Sequence, residues 1–137
     1  VDGYYEKTLG GNNDSTLFHL AHRVSAEMAN MVVEMGGRKS TLAGVAGITD
    51  LMLSCFGLDS HDRQYGHDYV FESHDKKKML SGVYGIKALP RLVRLREEKY
   101  PIAKAIHDVI ADGKNVDDAI ERIALTFGQS RSVQFRD

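Results

Sequence analysis

Residues 43–63 read Ala-Gly-Val-Ala-Gly-Ile-Thr-Asp-Leu-Met-Leu-Ser-Cys-Phe-Gly-Leu-Asp-Ser-His-Asp-Arg. Asp50 stands among Ile48, Leu51, Met52 and Leu53. A carboxylate in such a run must be hydrogen-bonded, paired or set against a cavity, because an unpaired buried charge is too costly. Ser54 follows four residues later and shares a face with Asp50 if the run is helical. Gly44 and Gly47 permit tight turns or close backbone approach just upstream. A polar cluster, Ser60-His61-Asp62-Arg63, follows within about one loop length.

Outward from this stretch the chain reads as helices. Leu9-Gly10-Gly11-Asn12-Asn13 is a turn signal, after which Asp14 or Ser15 can cap a helix. Thr16 to Met35 carries Leu17, Leu20, Ala21, Val24, Met28, Met31, Val32 and Met35 at three- and four-residue spacing. Gly36-Gly37 supplies its stop. His19, His22, Arg23 and Glu27 read as its surface, with His19 and Arg23 also placed to face a neighbouring domain. Ser40 is placed to cap a short helix that Gly44 and Gly47 interrupt. Ile48–Cys55 is too short to assign by period, and its context favours helix. Arg63–Phe71 reads as a weak helix and Glu72–Lys78 as a charged connector.

Further on, helical spacing through Ile86, Leu89, Val93 and Leu95 places Pro90 at the start of a helix or at a kink. Pro101 opens another helix, with Ile102, Ala105, Ile106, Val109 and Ile110 expected inside and Gly113 closing it. Asn115 caps a last helix, Val116–Phe127, with Ala119, Ile120, Ile123 and Leu125 expected mostly inward. Gly128 is expected to end it, leaving Gln129–Asp137 as a frayed tail. Short links and no alternating pattern give an all-α, single multi-helix domain over residues 1–137.

Composition bounds the rest. A chain of 137 residues suits one domain with a real core. A net charge of -1 gives no reason to expect a nucleic-acid or membrane partner. The single cysteine, Cys55, excludes an intrachain disulfide, makes a reducing compartment the default, and reads as a packed thiol. No apolar run is long enough to span a membrane. Scattered histidines give no metal motif, so no metal is expected. No glycine-rich phosphate loop follows a strand, so no dinucleotide fold is expected in this chain. Val1 is not a methionine, and a piece of a longer protein is one reading of that.

Ala46-Gly47-Ile48-Thr49-Asp50-Leu51-Met52-Leu53-Ser54-Cys55 resembles the Ala-Gly-Leu-Gly-Asp-Leu-x-x-Thr-Cys segment of NAD(P)-dependent glycerol-3-phosphate dehydrogenases. Val1-Asp2-Gly3, Arg23-x-x-x-Glu27-Met28, Ser60-His61-Asp62-Arg63-x-x-Gly66, Ser81-Gly82, Lys87, Pro101-Ile102 and Gly113-Lys114-Asn115 fall in step with the family. The resemblance implies its all-helical C-terminal substrate domain, of the 6-phosphogluconate dehydrogenase C-terminal-like class. It also implies a preceding Rossmann domain for NAD or NADP, and an acid/base lysine upstream of Val1. Asp50 and Ser54 take catalytic positions. Asp50, Ser60, His61, Asp62 and Arg63 take substrate positions, and His61, Met79 and Ser81 cofactor positions. A phosphorylated substrate, a cytoplasmic setting, a role in glycerophospholipid metabolism and a homodimer are further implications.

Such chemistry suits the residue types. Hydride removal from a secondary alcohol needs an acceptor for the hydroxyl proton; a lysine can accept it while a carboxylate positions that lysine. The departures bear on phosphate. His61-Asp62 replaces the family's Arg-Asn pair, exchanging a fixed forked cation for a titratable ring beside a carboxylate. Ser81 replaces a glutamate, and Thr49 a glycine. Two other readings stand beside the enzyme: a non-catalytic binding or regulatory domain on the same scaffold, and a dehydrogenase relative for another hydroxy substrate.

Overall fold

The computed structural model describes residues 14–44, 47, 49, 50, 61–70 and 80–133, without the side chains of 14–17, 62, 63, 70 and 127–133. The described residues form six α-helices and one 3-10 turn, and none is in a strand. They are α1 (Asp14–Glu34), α2 (Lys39–Ala43), α3 (His61–Val70), α4 (Ser81–Ala88), the 3-10 turn Leu89–Arg91, α5 (Pro101–Asp112) and α6 (Val116–Val133). The chain divides into two units, Val1–Gly85 and Ile86–Asp137.

In the first unit α1 packs against α2. Leu20, Ala21 and Met31 of the expected stripe are buried, while Met35 is exposed. Asp14 is already helical, so Asp14 and Ser15 lie in the first turn and do not precede it. Glu27, expected on the surface, is only 6% exposed. The stop is as expected. Gly36 sits at φ 91°, Gly37 N–H donates to Val32 O at 2.7 Å, and Gly36 N–H donates to Val33 O at 3.0 Å. Those two bonds satisfy terminal carbonyls in a Schellman arrangement.

Ser40 is not a cap. It lies inside α2, whose cap position is Arg38 and makes no side-chain capping bond. Gly44 ends α2, and Gly47 N–H then donates to Gly44 O at 3.1 Å. α3 is held by contacts one turn apart: Gln64 to Asp68 at 2.8 Å, and the rings of Tyr65 and Tyr69 with centroids 5.9 Å apart.

In the second unit Pro90 neither starts nor kinks a long helix. α4 stops at Ala88, Pro90 sits in the 3-10 turn, and residues 92–100 are turns and irregular chain. The missing proline N–H and its ring oppose continuation of the α-helix. Pro101 does open α5, and Gly113 closes it at φ 67°. The N–H groups of Gly113 and Lys114 both return to the Asp108 carbonyl. Asn115 caps α6, its Oδ1 accepting from Asp117 N–H at 2.8 Å and Asp118 N–H at 3.1 Å.

α5 packs on α6 through Ile102, Ala105 and Val109 on one side and Ala119 and Ile123 on the other. The inward expectation fails at Ile106, which is exposed, and Leu125, at 64% exposed, is the exception among the residues of α6 expected mostly inward. α6 also runs through Gly128 to Val133. One glycine inside a helix costs only about 1 kcal/mol relative to alanine, which a long helix can absorb.

Candidate functional site

The sequence-predicted site lies in the first unit. Thr49 and Asp50 are helical, and Asp50 is exposed. The burial that would force a partner on its carboxylate is therefore absent. Gly47 explains how the chain reaches this point: a side chain there would bring its Cβ within 2.6 Å of Leu42 Cα, so only glycine permits the approach.

His61, Asp62 and Arg63 are the first three residues of α3, and His61 is exposed. Ser81, also exposed, is the first residue of α4, whose first turn holds no acidic residue. Both positions are helix N-termini, where the helix dipole favours an anion. Ser54, Ser60 and Met79 lie outside the described residues, as do the side chains of Asp62 and Arg63.

A second polar constellation, which the sequence reading passed over, is built around Asp108 of α5, 1% exposed. Its Oδ1 accepts from Lys104 Nζ one turn earlier. Its Oδ2 accepts from Lys114 Nζ at 3.2 Å and from Arg122 Nη1 of α6 at 3.2 Å. Arg122 Nε reaches back to Glu97 Oε1 at 3.0 Å. Burial alone would raise the Asp108 pKa, but the bonds from Lys104, Lys114 and Arg122 hold it well below the usual carboxylate range. Burial likewise acts to lower the Arg122 pKa, and the bonds to Glu97 and Asp108 outweigh it, so the net shift is upward.

His107 Nδ1 is buried without a hydrogen-bond partner among the described residues, 3.8 Å from Asp108 Oδ1 and 4.0 Å from Asp112 Oδ2. These three residues present ligand atoms within 4.8 Å of one another. The cations on Asp108 already occupy both of its oxygens, so the cluster reads as a charge hub holding α5, its closing loop and α6. The spacing Lys104-x-x-x-Asp108 was its legible trace.

Residues 3–121 match the family described as NAD-dependent glycerol-3-phosphate dehydrogenase C-terminus. The chain belongs to this family. Its relatives include proteins named glycerol-3-phosphate dehydrogenase [NAD(P)+]. One from Bacillus licheniformis is 31% identical over 121 residues, covering 82% of this chain and 34% of that protein. Another from Oleidesulfovibrio alaskensis is 34% identical over 110 residues, covering 76% and 33%. A third from Bacillus velezensis is 32% identical over 119 residues, covering 82% and 34%. The chain thus spans about a third of the length of these relatives. No solved structure gives a significant match. The all-α architecture of the described residues agrees with membership of this family. No helix among them is long and apolar enough to cross a membrane.

Proposed function

We propose that this chain is the substrate domain of a dehydrogenase that interconverts sn-glycerol 3-phosphate and dihydroxyacetone phosphate in the cytoplasm. The observation that carries this reading is the family match over residues 3–121, which contains every candidate site residue. The helix N-termini at His61 and Ser81 support it, because both suit anionic groups. Arg63 and the first N–H groups of α3 bind the substrate phosphate, with Ser60 beside them. Asp50 and Ser54 orient the hydroxyl-bearing carbon and the acid/base lysine, which belongs to the portion preceding this chain. Ser81, Met79 and His61 border the dinucleotide, whose main site is a preceding domain; the acid-free first turn of α4 fits its negative charge. Bound NAD or NADP supplies the hydride acceptor.

Spectrophotometric assay of the full-length protein with glycerol 3-phosphate and either dinucleotide is the test. Turnover is expected from the full-length protein and none from the purified chain. Asp50→Asn should lower kcat by about 100-fold, the order of loss for a misplaced reacting group. A full-length protein that binds neither ligand would leave the non-catalytic reading. Asp62 in the first turn of α3 favours a further alternative, a hydroxy substrate without phosphate. Turnover of such a substrate in preference to glycerol 3-phosphate would establish it.

A further inference from the structure

We draw no further inference here: the strongest candidate, the His107–Asp108–Asp112 side-chain cluster toward the C-terminal end of α5, belongs to the charge hub already described, where Lys104, Lys114 and Arg122 hold both oxygens of Asp108 and nothing else among the described residues points to a ligand.

Discussion

Asp108 is a carboxylate taken almost wholly out of water, and three cations make that tolerable. Asp108→Asn keeps the shape and removes the charge, and should lower stability by about 1–3 kcal/mol, read by urea denaturation. Lys114→Ala should cost less, about 0–1 kcal/mol, because more than half of that side chain is in water. The pH dependence follows from the direction of the shift. A carboxyl held below its ordinary value contributes fully above the unfolded value of about 4, and its contribution is lost as pH falls toward the folded one. The wild type should therefore lose stability between about pH 5 and strong acid more steeply than Asp108→Asn. Parallel acid limbs would show that the bonds to Asp108 do not form in solution. Both Asp50 and Asp108 stand among apolar neighbours in the sequence, Asp108 within Ile106-His107-Asp108-Val109-Ile110. The burial argument applies to Asp108, whereas Asp50 is exposed. Local composition identifies an acid worth asking about; which one is buried depends on what packs over it. At the proposed phosphate position, a His61→Arg, Asp62→Asn double variant of the full-length protein should bind glycerol 3-phosphate more tightly. Arginine there would supply the fixed, forked cation that suits a phosphate. Equal affinities of the two proteins at every pH would remove His61 from the phosphate site.

The ends of α5 and α6 depend on a short sequence, Gly113-Lys114-Asn115, in which each residue has a different task. Gly113 supplies the left-handed turn, Lys114 reaches Asp108, and Asn115 starts the next helix. Nothing lies within 4 Å of a Cβ added at Gly113, so Gly113→Ala tests the backbone alone. It should cost about 1–2 kcal/mol. Asn115→Ala should cost about 1 kcal/mol through its lost cap, and an unchanged midpoint in urea would show that the bonds seen here carry no net stability. These devices were legible because they are local: glycine at φ 67° and Asn before a helix need no knowledge of the fold. The overextended expectation at Pro90 and the premature stop at Gly128 failed for the converse reason. Apolar spacing continued past the proline although its ring cannot, and one glycine was outweighed by the helix around it. Ile106 and Leu125 share the helical period but point away from the α5–α6 seam, which only packing decides.

The family was legible in the order and spacing of short motifs from Val1-Asp2-Gly3 to Gly113-Lys114-Asn115, and the match over residues 3–121 covers all of these but Val1 and Asp2. What the sequence did not show is the division into Val1–Gly85 and Ile86–Asp137. The candidate site falls in the first unit and the Asp108 hub in the second. Structural units often open as separate cooperative segments, each with its own free energy. Loss of the hub should then act locally. In native-state hydrogen exchange, Asp108→Asn is expected to accelerate exchange of the buried amides of α5 and α6, at Val109 and Ile123, by about tenfold for each 1.4 kcal/mol lost. Amides at Leu20 and Met31 of α1 should keep their wild-type rates. Equal acceleration in α1 would mean that the chain opens as one cooperative body. The Asp108 hub would then support the proposed substrate site from a distance, and Asp108→Asn in the full-length protein would weaken substrate binding as well as stability.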